Sequence, residues 1–509
     1  MLANSHRVST VVRVGAFMVF FFSCFVYFVP RRYETPALLQ EPVSQVINLT
    51  ELGSKFNASV VEFWQQLATA LIEAKPQCNP LEVLDGFVER PGERSKPKLD
   101  KNDERRYPEL TAQDETALLR AHYKMRRSAQ HLAPKLPFSK DTTGIVTSAN
   151  LESIPVLLVS LRMLRRTGCN LPVEVFLADW THYTHPICER DLPSLNARCI
   201  ILSNILSNAT KIAKPEDSQH KSLSLLFSSF QNVLYVDTTA FPIYDPTILF
   251  TTPPYTTHGL VTWPDPHAPR ISEHFYHIAA IPAPAIPYTS TSSQILLNKS
   301  LHRESLLLML YYNHHGPSYY YLLLRSSAPA FALAALATRL PVYHVRSHST
   351  SLGRWWNGTY RATGSAHADP GMDYEYLPPF SSHIHPSNVW MKNDTAHPIP
   401  SIEKALNYTR LAPRIPRPVF LQVDLLRMNP ASVLQDKSEI TFEPDGTPHR
   451  MWGLREDVVR VLGYDVEERL WGVVVEEGCR GDGESEVCRE LVEWSREVVG
   501  WMGSIDRPW

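Results

Sequence analysis

The residue in this chain most able to do chemistry is a carboxylate that closes an apolar run. Asn232-Val233-Leu234-Tyr235-Val236 reads as a short strand and Asp237-Thr238-Thr239 follows it. At a strand end alternate side chains share a side, so Asp237 and Thr239 present a carboxylate and a hydroxyl together. Two carboxylates placed this way hold a divalent cation that neutralises a diphosphate and stabilises it as a leaving group. In this chain the second position is neutral. Lys221, upstream on a helical stretch, is either a phosphate contact or a solvated cation. Trp263, beside Asp265, is either a contact for a bound sugar or donor, or core packing. His383/His385 and His344/His348 have metal-like spacing, but in a proline-rich setting a solvated role is the ordinary reading.

Placing Asp237 requires elements that bring strand ends to one edge. Gly144–Thr147, Val173–Leu177, Cys199–Leu202 and Asn232–Val236 read as strands, with helical spacing over Leu151–Arg166 and Ser218–Phe230 between them. This alternation predicts an α/β fold with a Rossmann-type parallel sheet covered by helices on both faces. Ligands of such sheets sit at the carboxyl ends of the strands, and Asp237 falls there. Further helices are expected at Phe63–Ala74, Thr111–Arg127, Ser305–Tyr312, Ala328–Arg339, Asp465–Glu477 and Glu484–Trp501. The 41 prolines concentrate in Pro242–Pro287 and Pro370–Pro418, which read as long ordered loops.

Longer words surround Asp237: His220-Lys221-Ser222-Leu223, Ser228-Ser229-Phe230-Gln231-Asn232-Val233-Leu234 and Phe241-Pro242-Ile243. With Gly259–Asp265, Ser293–Lys299, Tyr311-Tyr312-Asn313, Met428-Asn429-Pro430 and Met451-Trp452-Gly453, they closely resemble the fungal Golgi α-mannosyltransferases that add α-1,2 branches to N-linked mannan. The resemblance runs in order from about residue 60 to the C-terminus. It implies a GT-A-like fold, a GDP-mannose donor, Mn²⁺ and a mannose-terminated glycan acceptor. It assigns donor binding to Lys221, Asp237, Thr239 and Trp263 and metal binding to Asp237, with Asp265 and Asp424 as the catalytic carboxylates, either of which would make good the ligand lost at Thr239. Three departures touch that site. Asp237-Thr238-Thr239 replaces the family's Asp-Ser-Asp, and Ser326–Phe331 stands where an acidic loop is expected. Gln422-Val423-Asp424 replaces a His-x-Asn. Ala149-Asn150 also stands where a glycine pair is expected. The alternative is a catalytically impaired member of the same fold acting as a glycan-binding or complex-forming partner in the Golgi.

The ends and the cysteines place the chain in a compartment. Val14–Val29 carries no charge and six phenylalanines, and the stretch 11–30 is long enough for one membrane span. The expected organisation is a cytoplasmic tail at 1–10, an anchor at 11–30, a stem and helical lead-in at 31–135, and a transferase-like domain at 136–509. Asn48, Asn57, Asn208, Asn298, Asn357, Asn393 and Asn407 head glycosylation sequons, which makes the downstream bulk lumenal. The expectation is a single-pass type II protein of the Golgi membrane. Cys479 and Cys488, flanking a glycine-containing loop, form the expected disulfide. A net charge of −2 does not point to a nucleic-acid partner, and none is expected. Endoglycosidase treatment of the protein from its own secretory pathway should lower its mass. An unchanged mass would contradict the lumenal orientation.

Overall fold

The computed structural model describes residues 53–82, 110–209, 212, 214–265, 271–282, 290–375, 416–423, 428–434 and 441–501. The expected span at 11–30, Asn48, Asn393, Asn407, the His383/His385 pair and Asp424 lie outside these residues, as does the side chain of Asn57. Among the described residues no helix is long and apolar enough to cross a membrane. The chain divides into two units, Met1–Ser54 and Lys55–Trp509, and the second carries the architecture that follows.

In chain order the principal elements are α1 (Gly53–Glu73), α2 (Ala112–Leu132), β1 (Ser139–Ala149), α3 (Ile154–Arg166), β2 (Val173–Leu177), β3 (Ala197–Ile201), α4 (Asp217–Phe227), β4 (Phe230–Val236) and β5 (Ala240–Pro242). There follow β6 (Leu260–Pro264), α5 (Glu273–Ala279), β7 (Ser290–Asn298), α6 (Arg303–His314), α7 (Ala330–Ala337), β8 (Tyr343–His344), β9 (Thr350–Trp356), β10 (Thr359–Ala368), β11 (Pro418–Val423), α8 (Arg455–Leu462), α9 (Val466–Gly478) and α10 (Glu486–Val498).

The main sheet has seven strands in the order β3-β2-β1-β4-β7-β6-β8. The four from β3 to β4 are parallel, as the sequence predicts, but β7 runs antiparallel to both β4 and β6. The sheet is therefore mixed. A second sheet, β5-β11-β10-β9, is antiparallel, and the stretch Pro242–Pro287, expected as loop, holds β6 and α5. Its β9–β10 hairpin turns on Asn357-Gly358, both at positive φ, a geometry that Asn-Gly adopts readily. That places the Asn357 sequon at an exposed tip. Asn208 is also exposed, and Asn298 is half-buried at the end of β7.

Period-two alternation assigns the faces of the main sheet. Val146, Val233, Tyr235, Ile295 and Leu297 pack with α1, α2, α4, α5, α6 and α7. Ile145, Leu234, Val236, Val261 and Leu296 pack on the other side with α3. α7, apolar on every side, is almost wholly enclosed, as such a helix must be. α1 and α2, expected as a lead-in, belong to this core: Leu67, Leu71, Leu118 and Met125 are buried within it. A third cluster joins the second sheet to α8, α9 and α10, where Cys479 and Cys488 form a disulfide with their Cα atoms 4.6 Å apart. A second disulfide links Cys188 to Cys199, a pairing the sequence spacing left open.

The amino end of β4 is held by buried charges. Ser229 donates from its N–H and hydroxyl to Glu174 at 3.0 and 2.5 Å, and Arg198 donates to the same carboxylate at 2.6 Å. The Lys299 ammonium donates to the carbonyls of Leu226 and Ser228, both at 2.7 Å. Burial draws Lys299 down to about 7, with Glu174 acting in the opposite direction. At this corner the Ser228-Ser229-Phe230 and Asn298-Lys299 words act on structure. A Cβ on Gly144 would lie 2.2 Å from the Phe230 ring, so β1 and the start of β4 meet only because position 144 has no side chain.

Buried histidines add a pH dependence. Burial pulls His122 down to about 3 and His314, His315, His344 and His367 down to about 4. Their folded values lie below the ordinary ~6.5, so their contribution to stability is complete above that pH and is lost as pH falls towards 4. Each costs on the order of 3 kcal/mol to protonate in the fold. Urea midpoints should fall steeply between pH 6.5 and 4. Midpoints flat over that window would contradict the burial of these rings.

Candidate active site

The chain runs outward through β1, β2 and β3 and returns on the far side of β1 as β4. The switch point therefore lies between β1 and β4, and their carboxyl ends border the crevice where ligands of open α/β sheets bind. Two side chains bridge the two strands there. The Tyr235 hydroxyl and Ser148 Oγ lie 2.9 Å apart, and burial raises the phenol far above its usual range, with Asp237 adding to the effect.

Asp237 follows Val236 and continues the face of Val233 and Tyr235, the face that α4 covers. This is why Lys221, on α4, meets it. The Lys221 ammonium lies 3.7 Å from Asp237 Oδ2 and sits over the Tyr235 ring, 4.7 Å from its centroid. Burial lowers the Lys221 ammonium from its ordinary range, and Asp237 pulls it back up. The other carboxylate oxygen, Oδ1, accepts the Thr238 N–H at 2.8 Å. The Asp237 N–H donates to Ser293 O on β7 at 2.8 Å and fixes the turn from that side.

Thr238 points to the opposite face and is buried, and Ser160 on α3 donates to its carbonyl at 2.6 Å. Thr239 is half-buried, and its carbonyl accepts the Val423 N–H at 2.9 Å. The second sheet thus clamps the far side of the turn, and the residue after Val423 is Asp424. Ala149-Asn150 makes its own closed turn. Asn150 Oδ1 accepts the Ser153 N–H, and Ser153 Oγ accepts the Asn150 N–H, each at 2.9 Å, just ahead of α3.

Asp265 is half-buried at the carboxyl end of β6. β6 is parallel to β4 with β7 between them, so Asp265 shares an edge with Asp237, two strands away. Trp263 does not reach that edge. It is fully buried, its indole N–H donates to Ala368 O at 2.8 Å, and its ring meets Phe420 edge-on at 5.5 Å. Of the two sequence readings the packing role is correct, because neither ring face is left for a donor.

Sequence reasoning missed the polar start of β7. Ser290, Thr291, Ser293 and Gln294 are buried beside the Asp237 turn, and the Gln294 amide nitrogen has no hydrogen-bond partner among the described residues. An apolar strand whose first turn is all hydroxyl and amide was the available signal. His344 lies one sheet neighbour beyond Asp265's strand, where its Nδ1 and Thr262 Oγ1 are 2.9 Å apart. The Ser326–Phe331 segment makes a short turn into α7, with Ala330 N–H donating to Ser327 O at 3.3 Å.

The Mn²⁺ that the resemblance implies needs at least two anionic or imidazole ligands around one point. Around Asp237 the described residues supply one carboxylate, already facing an ammonium, and a neutral Thr239. Among the described residues no group of three or more His, Cys, Asp or Glu side chains could hold a metal ion. These residues do not fit a divalent cation. As a check on the packing, Trp263→Phe should lower stability by about 1–2 kcal/mol through the lost hydrogen bond and leave nucleotide affinity unchanged. A large loss of affinity at unchanged stability would return Trp263 to the binding site.

A family described as putative mannosyltransferase matches residues 142–291 and 282–369, which run from within β1 to the end of β10. The alpha-1,2-mannosyltransferase MNN21 of Candida albicans is 27% identical over 422 residues, covering 71% of this chain and 61% of that protein. MNN24 of the same organism is 35% identical over 198 residues, 37% of this chain and 28% of that one. MNN2 of Saccharomyces cerevisiae is 33% identical over 178 residues, 34% and 29% of the two chains. The chain thus spans less than two thirds of the length of these curated relatives. Among solved structures, core-mannan synthase A from Aspergillus fumigatus in its Mn/GDP form covers 42% of this chain and 76% of its own at 12% identity. Its TM-score is 0.28, and at that level the likeness carries no argument. Residues 142–369 thus match a mannosyltransferase family model, and the relatives that resemble this chain are fungal alpha-1,2-mannosyltransferases.

Proposed function

We propose that this protein transfers mannose from GDP-mannose to a mannose-terminated glycan, forming an α-1,2 linkage. The observation that carries the proposal is Asp237 beside Lys221 at the carboxyl edge of β4, inside the region that matches the family. The GDP diphosphate lies against the Lys221 ammonium, which offsets the charge that grows as the bond between mannose C1 and the diphosphate oxygen breaks. GDP leaves with that electron pair. The acceptor hydroxyl oxygen forms the new bond to C1 and passes its proton to the departing diphosphate oxygen. Asp265 is assigned to the sugar side of this edge. Asp237 fixes the ammonium and, through Thr238, the turn beneath the donor. The α-1,2 linkage follows the relatives named above, which are alpha-1,2-mannosyltransferases.

The same reading makes the protein a single-pass type II resident of the Golgi membrane, working alone or in a transferase complex. The phenylalanine-rich run before Pro30 and the downstream sequons support this. The test is incubation of the full chain with GDP-mannose and an α-mannose-terminated oligosaccharide, with mass spectrometry of the glycan. The expected product is heavier by one hexose, and Asp237→Asn should lower the rate at least about 100-fold. Glycan binding without any hexose gain would establish the impaired, glycan-binding alternative instead.

A further inference from the structure

We infer that Lys221 takes the place of the divalent cation in this protein, so that it binds its donor's diphosphate without metal. The inference rests on the donor reading above and on the balance of charge around Asp237. Two carboxylates and a divalent cation sum to zero, and so do one carboxylate and one ammonium. With Thr239 in the second position, the site has lost one negative charge. The remaining one is met by Lys221 Nζ at 3.7 Å. Among the described residues around Asp237 a divalent ion would find no second carboxylate facing this pair, and displacing the ammonium would leave it buried without this counter-charge.

The ammonium is built into its place. It stands on α4 with the Tyr235 ring 4.7 Å beneath it. That ring is itself fixed, since its hydroxyl meets Ser148 Oγ at 2.9 Å across the switch point. The Asp237 turn is tied on three sides, by Ser293 O, by Ser160 Oγ through the Thr238 carbonyl, and by Val423 N–H through the Thr239 carbonyl. The Lys221 side chain is 14% exposed and Asp237 is 35% exposed, so the pair borders solvent where a phosphate can reach it. A lysine held by a carboxylate and an aromatic face is a compact donor of the kind that binds phosphate as a point charge. Asp237 is then a positioning residue for the ammonium.

Calorimetry of the full chain with GDP as probe decides this, run once in EDTA and once with Mn²⁺. The wild type should bind GDP with the same affinity, within about twofold, in both. Lys221→Met should weaken binding in EDTA at least about tenfold and Lys221→Arg should restore most of it. Thr239→Asp should make binding tighter with Mn²⁺ than without by at least about tenfold, since it supplies the second anion. Wild-type binding that EDTA abolishes would overturn this inference and leave the donor reading standing. Unchanged affinity in Lys221→Met would overturn it as well. An absence of GDP binding in both conditions would overturn the donor reading itself. The comparison of wild type in EDTA and Mn²⁺ needs no variant to fold.

Discussion

The hydrogen bonds that Glu174 and Lys299 make to the corner between α4 and β4 set everything downstream. Ser229 is gripped by one buried charge, and the carbonyls of Leu226 and Ser228 by the other. With the corner fixed, β4 has one register against β1 and β7. A slip of one residue would exchange its two faces and carry Asp237 from the α4 side of the sheet to the α3 side. Lys221 and Asp237 meet across the end of β4 because the helix and the strand leave the same corner in fixed directions. Buried charges of this kind contribute uncertain net stability, but removing one partner is costly, which makes them good at fixing register.

This division gives the two edges of the sheet different work. The amino edge of β4 holds the Ser-Ser-Phe word, the Asn298-Lys299 word and Gly144, all engaged in packing and charge burial. The carboxyl edge holds Asp237, Lys221, the Tyr235–Ser148 bridge and Asp265. The words at the amino edge are thus scaffold, and two departures from the family's pattern, Thr239 and Ala149-Asn150, fall at the other edge. A chain can keep the scaffold words while the site changes, because the two edges are separated by the length of β4.

Much of the fold could be read from the sequence because its signals are local. The strands at Val173–Leu177 and Asn232–Val236 are short apolar runs, and α2 begins at Thr111, whose side chain accepts the Asp114 N–H as a cap should. Asp237 and Lys221 could be read for the same reason, from a strand end and a helix before it. What the sequence did not yield depends on distant partners. The antiparallel insertion of β7, the assembly of β5 with β11 across some 180 residues, and the Cys188–Cys199 bridge leave no period or spacing to detect. Trp263 could not be assigned because an indole in a strand looks the same whether it packs on Phe420 or on a sugar. The place of α1 and α2 in the core was hidden by the charged stretch between them.

The central claim is that the nucleotide binds at the carboxyl edge of β4 and nowhere near the family's scaffold words. Amide hydrogen exchange of the full chain with and without saturating GDP tests it most directly. The expected result is added protection in peptides covering 217–224 and 235–242. Protection confined to peptides covering 226–231 and 298–302, at the opposite edge, would contradict it.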